Sequence, residues 1–280
     1  MTDSATSLPK GTKLWLLDLG HLDIDAAVVF SGTNIFPAHL PPQQHERRDL
    51  VMIAALLYHP DVGLILFDTG SCENVIASWG KESLECTPRI WDKNVHGLPE
   101  AINATGAGDI SDVKAVVISH LHCDHAGGLE HFIDSDVEIW CHEEELKNAF
   151  WTTATGIEQG TYRPDYLMVD RFNWKTFSGT TFELFPGFNL HRCPGHTPGG
   201  IVVDLDLEET GCVILTGDTF HIAENYELGI PPEAITRDFN AWHRSRQYIQ
   251  NLVQKKKAKV VLGHDVAYFR ALKANPGFIQ

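Results

Sequence analysis

No Cys-x-x-Cys pair occurs among the six cysteines, Cys72, Cys86, Cys123, Cys141, Cys193 and Cys212. The first ten residues, MTDSATSLPK, lack both the positive n-region and the apolar h-region of a secretory signal. The two absences together point to reduced thiols rather than a disulfide framework. No apolar run approaches the roughly 20 residues that span a bilayer, so the expectation is a soluble, cytoplasmic protein without a membrane partner. Basic residues are also scarce: 22 Lys and Arg stand against 37 Asp and Glu, a net charge of −15. That balance argues against nucleic acid, whose phosphates call for a basic stripe. The longest basic cluster, Lys255-Lys256-Lys257, reads as the last turn of a helix, where the dipole favours cations. Low-complexity tracts and solenoid-period repeats are absent too.

What remains is an ordinary globular composition, 43% hydrophobic and 21% charged over 280 residues, enough to bury a full core. Strand-like runs fall at residues 13–18, 51–58, 64–67, 113–119, 137–141, 180–185, 188–193, 201–206, 212–216 and 260–262. Helical patterns lie between them, the longest over 232–257. No linker-like break interrupts this order. The expectation is a flexible stretch over 1–12 and one domain over 13–280, with helices packed outside β-sheets.

Histidine is the abundant residue, with 15 in the chain, and its spacing carries the chemistry. The run His120-Leu121-His122-Cys123-Asp124-His125 follows directly on the apolar stretch 113–119. A divalent metal needs several imidazoles or carboxylates converging within about 2.0–2.2 Å, and a buried strand end is a rigid place to aim them from. His120 and His122, two apart in extended chain, face one side; Asp124 and His125 lie one step into the next turn. That arrangement suits two neighbouring metals better than one. A lone histidine there is ordinarily a satisfied core residue; four ligand-type residues in six positions are not explained that way. His196 in CPGHTPGG, Asp218 in LTGDT and His264 in VLGHD each follow a strand-like run. Taken singly they read as a turn, a helix cap and a loop end; as an ordered set they are specific. Cys123, at a variable position of the motif, reads as packing.

The series H-x-H-x-D-H, PGHTPG, GD and a late GH resembles the metallo-β-lactamase superfamily from about Leu14 to His264. The resemblance implies an αββα sandwich with the site at one edge of two facing sheets. It implies that His120, His122 and His196 bind a first metal, that Asp124, His125 and His264 bind a second, and that Asp218 bridges them. Asp68, in Leu-Phe-Asp-Thr-Gly, matches the family's DTG and would orient ligands by accepting an imidazole N–H. A filled set of seven speaks against flavodiiron-type relatives, which carry Glu for the second His, and against single-iron dioxygenases of this fold. Two divalent ions are expected, zinc first, with Mn, Fe and Co also suited to these donors. Such a pair ionises a water near neutral pH and polarises a carbonyl, and Asp124 is placed to move the proton to the leaving group.

The wording of LWLLDLG, LILFDTG and SHLHCDHAGG looks most like the lactonase branch, which includes acyl-homoserine-lactone lactonases and pyridoxolactonase. Those enzymes carry Tyr three residues after the bridging Asp; here the position is His221, which can still donate to an oxyanion. Residues 150–177 hold seven aromatics (Phe150, Trp151, Tyr162, Tyr166, Phe172, Trp174, Phe177), against 10% aromatics in the whole chain. They serve either as packing or as a pocket wall, and the second use favours a flat apolar ring. The chain is also similar to lactamases that open benzoxazolinone-type cyclic carbamates. The expected reaction is therefore ring opening of a small aromatic-fused lactam, carbamate or lactone, as in xenobiotic detoxification. The alternatives are an acyl-homoserine-lactone lactonase, a glyoxalase-II-like thioesterase, a mononuclear-iron dioxygenase and a non-catalytic metal protein. Family members often form homodimers through the N-terminal loop region.

Overall fold

The computed structural model describes residues 7–32, 35–41, 44–158, 160–232, 234–273 and 277–280. Its strands are β1 Lys13–Asp25, β2 Arg47–His59, β3 Gly63–Phe67, β4 Arg89–Ile90, β5 Val113–Val117, β6 Glu138–His142, β7 Asn173–Phe177, β8 Thr181–Phe185, β9 Phe188–Arg192, β10 Ile201–Leu207, β11 Gly211–Leu215 and β12 Lys259–Val261. They form a seven-stranded sheet in the order β4-β1-β2-β3-β5-β6-β7 and a five-stranded sheet in the order β12-β11-β10-β9-β8.

Period-two alternation sorts the strand residues between two cores. In β1, Leu14 and Leu16 turn into the space between the sheets, with Val51 and Leu57 of β2 and Leu190, Val203, Val213 and Leu215 of the second sheet. Trp15 and Leu17 turn the other way, joining Met52, Leu56, Val116 and Ile139 against Ile102, Leu129, Phe132 and Ala149 of the outer helices. The second sheet repeats the device. Val202, Cys212, Ile214 and Val260 face outward onto Trp242 and Ile249 of the helix Phe239–Lys256. The layers are therefore helix, sheet, sheet, helix, in one domain. That is the αββα arrangement.

Of the stretch 1–12 expected to be flexible, residues 1–6 lie outside the described residues. Leu8, however, is buried in the inter-sheet core, and Thr12 Oγ1 donates to Pro9 O over 2.7 Å. The last long helix begins at Phe239 rather than at 232, because Asp238 caps it: its side chain accepts from Ala241 N. Among the described residues, no helix is long and apolar enough to cross a membrane. All six cysteines are unpaired.

Candidate metal centre

The chain leaves the two sheets at several strand C-termini along one edge, and the candidate residues sit on those exits. β3 runs parallel to β5, and β11 runs parallel to β12. Asp68 follows β3, His120 and His122 follow β5, His196 follows β9, Asp218 follows β11, and His264 follows β12. Ligand sites outside the carboxyl ends of strands are the rule in α/β sheets. His122 precedes the short helix Cys123–Ala126, whose first turn holds Asp124 and His125.

The exits are locked to one another by backbone hydrogen bonds. Cys193 N donates to Gly200 O (2.7 Å) and Gly195 N to Thr197 O (3.0 Å), closing the loop that carries His196. Gly195 lies at φ +143, and a Cβ there would meet the Trp242 backbone at 2.4 Å, so the loop rests directly on the last long helix. Trp242 Nε1 donates to Thr219 O (2.7 Å), tying the same helix to the Asp218 turn. Gly263 N donates to Phe220 O (2.8 Å) and His264 N to His221 O (2.9 Å).

Two groups of donors result. In the first, His196 Nε2 lies 3.1 Å from His120 Nε2 and 3.1 Å from His122 Nδ1. In the second, His125 Nε2 and His264 Nε2 are 3.2 Å apart, with Asp124 Oδ2 at 3.8 and 3.6 Å from them. Asp218 stands between. Its Oδ1 is 3.1 Å from both His125 Nε2 and His264 Nε2, and its Oδ2 is 3.7 Å from His120 Nε2 and 3.5 Å from His196 Nε2. The structure thus brings together all seven residues singled out in the sequence.

The donor set fits divalent cations. Three imidazoles have their outer nitrogens engaged: His120 Nδ1 with Ser119 Oγ (3.0 Å), His125 Nδ1 with Asp68 Oδ2 (2.8 Å) and His264 Nδ1 with Val51 O (3.0 Å). An N–H given to the carboxylate or the carbonyl leaves the inner nitrogens of His125 and His264 as bare lone pairs. Ligands on a tetrahedral cation at about 2.0–2.1 Å stand about 3.3 Å apart, close to the nitrogen separations found here. Asp218 Oδ1, despite neighbours at 3.1 Å, has no hydrogen-bond geometry to any described residue. Asp218 Oδ2 lies 3.2 Å from His264 Nε2 in hydrogen-bond geometry, and the nitrogen pairs stand at the spacing that ligands of one shared cation have.

Electrostatics agree. Burial, reinforced by neighbouring imidazoles, pushes His120 and His196 well below the usual histidine range. Burial likewise brings His122 down to about 4. His125 behaves oppositely: burial lowers it, but Asp218, Asp124 and Asp68 outweigh burial and hold it well above. Three carboxylates around one imidazole mark a place that favours positive charge, which a cation supplies as well as a proton does.

A cavity of about 440 Å³ opens onto both groups. His122, Asp124, Asp218, His221 and His264 form its floor, and Leu22, Ile24, Val28, Leu50 and Ile235 its aliphatic walls, with Trp79. None of the seven aromatics of residues 150–177 lines it. Tyr162, Tyr166, Phe172 and Phe177 are buried in the cores, Phe150 and Trp174 pack against them, and Trp151 is 49% exposed. Of the two uses open to these rings, packing is the one seen, and the insertion lines the cavity with Gly160 and Thr161. Cys123 does touch the cavity, but its thiol donates to Gly160 O (3.3 Å) and burial pushes its pKa well up, which keeps it unreactive. His221 is 2% exposed, and neither ring nitrogen has a hydrogen-bond partner among the described residues. Its Nε2 lies 2.9 Å from Asp218 Oδ2, outside hydrogen-bonding geometry. Asn225 holds this segment from behind, accepting from His221 N and Ile222 N, each at 3.0 Å. Sequence reading overlooked Ser119, Glu145 and Asn225, which are polar residues of common type at unremarkable spacing.

The metallo-beta-lactamase superfamily model matches residues 48–264. The N-acyl homoserine lactonase AiiB of Agrobacterium fabrum is 28% identical over 96% of this chain and 100% of its own length. An N-acyl homoserine lactonase of a Bacillus species is 30% identical over 80% of this chain and 85% of its own. A crystal structure of Bacillus thuringiensis AiiA superposes with a TM-score of 0.78 at 24% identity, covering 95% of this chain and 98% of that one, and so shares the fold. With the motif order, the sandwich and the donor groups on one sheet edge, these matches establish that the chain belongs to the metallo-beta-lactamase superfamily.

Proposed function

We propose that this protein is a metal-dependent hydrolase that opens a lactone ring bearing an aliphatic substituent, of the N-acyl homoserine lactone type. The observation that carries the lactone reading is the cavity wall. Leu22, Ile24, Val28, Leu50 and Ile235 offer a flexible alkyl or acyl chain an apolar surface, and among the described residues Trp79 is the only Phe, Tyr or Trp lining it. A flat aromatic-fused lactam or carbamate, such as a benzoxazolinone, loses the support that wall-lining aromatics would have lent it. The curated relatives are themselves N-acyl homoserine lactonases.

In this reading His120, His122 and His196 would hold one divalent cation and Asp124, His125 and His264 another, with Asp218 available to either, and zinc would suit such donors. The cations, when bound, supply Lewis acidity toward the ring carbonyl and toward an attacking water. The chain's own groups do the rest. Asp68 fixes the tautomer of His125, and the Val51 carbonyl that of His264. Asp124, half-buried at the cavity floor, takes the proton of the attacking water and passes it to the departing ring oxygen. His221, with an unengaged ring nitrogen in the cavity, donates to the oxygen that gains charge as the carbonyl becomes tetrahedral.

The test is turnover of an N-acyl homoserine lactone, an unsubstituted γ-lactone, 2-benzoxazolinone and a thioester, before and after chelation. The acyl lactone is expected to be fastest, with turnover lost on chelation and restored by zinc. Faster opening of 2-benzoxazolinone would reassign the substrate, and full turnover after chelation would end the metal reading. His221→Ala is expected to lower kcat about 10²-fold with cation content unchanged. An unaltered kcat/KM would remove His221 from the mechanism.

A further inference from the structure

Glu145 is a carboxylate with no surface exposure, and it belongs to neither donor group. It sits in the first turn of the helix Glu143–Thr155, where the N-terminal dipole favours an anion. Its Oε1 accepts the Leu121 N–H (2.9 Å) and the Tyr162 hydroxyl (3.1 Å), and its Oε2 accepts the Gly199 N–H (3.1 Å). Leu121 lies between His120 and His122, and Gly199 lies three residues after His196. One carboxylate therefore ties together the two loops that deliver the three imidazoles of the first group. The contact leaves no slack: a Cβ on Gly199 would fall 2.2 Å from Glu145 N. Tyr162 adds a side brace, its ring edge-on to His122 with centroids 4.8 Å apart. The second group is anchored elsewhere, His125 on Asp68 and His264 on the Val51 carbonyl.

We propose that Glu145 is a positioning residue that fixes the separation of His122 from His196 and so sets the cation affinity of the first group independently of the second. The proposal rests on the reading that both groups hold cations. Bonds from two backbone N–H groups to one buried carboxyl are directional, so they transmit the position of one loop to the other. Glu145→Gln keeps the length and volume of the side chain. Its amide oxygen can still accept from Leu121 and Tyr162, but the NH₂ then faces the Gly199 N–H, donor against donor. The His196 loop loses its bond to residue 145 while the His122 loop keeps its own.

The experiment titrates Co(II) into chelated full-length protein against a competing chelator, following the visible d–d bands. Wild type is expected to take up two equivalents. In Glu145→Gln one equivalent should weaken about 10–100-fold with an altered spectrum, while the other keeps its affinity and bands. General loosening of the fold would weaken both equivalents, and that result overturns the proposal, as does an unchanged titration. Wild type that binds no Co(II) overturns the metal reading itself. Should Glu145→Gln fail to fold, Tyr162→Phe retains both backbone bonds and removes one donor. A smaller shift confined to the same equivalent is then expected, and its absence in the folded variant overturns the role.

Discussion

Asp68 has its backbone in the left-handed region at φ 61, where a non-glycine residue is uncommon and held only by its surroundings. Here the surroundings are the site. Its Oδ1 accepts Ser119 N (2.6 Å), and its Oδ2 accepts the Ser119 hydroxyl (2.7 Å) and lies 2.8 Å from His125 Nδ1. Asp68→Asn tests the chemistry without the shape, because Asn also tolerates left-handed backbone. Its NH₂ would face either the Ser119 backbone N–H or, turned over, both the Ser119 hydroxyl and His125 Nδ1. Cation affinity of the second group is expected to fall about 10–100-fold in a chelator competition, with the fold retained by circular dichroism. This residue was legible in the sequence, as were the seven donors, because each motif is a short run on a strand exit. Glu145, Asn225 and the Val51 carbonyl were not. Glu145 reaches backbone N–H groups 24 and 54 residues away, Asn225 reaches the Val29 carbonyl, and Val51 offers His264 only a backbone oxygen, so none of them leaves a mark on residue type.

Element by element, the sequence was most readable where burial is two-sided. The run 113–119 announces β5 because nearly every residue is apolar, and the alternation of β1 and β2 separates the two cores. β4 and β7 escaped notice: the first has two residues, and β7 holds the pattern of a sheet edge, partly buried and polar. The aromatics of residues 150–177 were ambiguous because density of rings does not say which way they point. The loop bearing His196 shows how one element disciplines another. It lies on the helix Phe239–Lys256, with Arg237 N and Asp238 N donating to Gly195 O at 2.9 and 3.0 Å. Gly195→Ala would place a methyl 2.4 Å from the Trp242 backbone and demand φ +143 of an alanine. The expected cost is about 3 kcal/mol, read as a lowered Tm of the chelated protein, together with weaker binding of the first cation. A melting temperature equal to wild type would mean the loop yields freely and does not position His196.

For the molecule as a whole, the second sheet is joined to its covering helix by a buried charge cluster whose response to pH can be worked out. Asp204 of β10 is 1% exposed; it pairs with Lys256 Nζ and lies 2.5 Å from His191 Nε2, whose other nitrogen is 2.8 Å from the Tyr248 hydroxyl. Lys256 also reaches Asp206 Oδ2 at 3.1 Å, so the two carboxylates of the Asp204, Asp206 and Cys212 cluster already share an ammonium. Burial pushes the Asp204 carboxyl up, but the bonds from His191 and Lys256 outweigh it and hold the group below the ordinary 3.8. A depressed carboxyl stabilises the fold in full above 3.8 and loses that contribution as pH falls through the lower, folded value. For Lys256 burial acts downward, yet Asp204 and Asp206 raise it above 10.5, so its contribution is complete below 10.5 and fades as pH climbs through the raised value. Between those limits the Asp204–Lys256 pair stays fully charged. Asp204→Asn is therefore expected to lower stability by about 2 kcal/mol at neutral pH, the scale of a hydrogen bond to a charged group. The deficit should stay level from mildly acid to mildly alkaline solution and shrink only below 3.8, measured as urea-unfolding midpoints across pH on chelated protein. No deficit at neutral pH, or one that does not shrink below 3.8, would show that the clamp is not the Asp204–Lys256 pair.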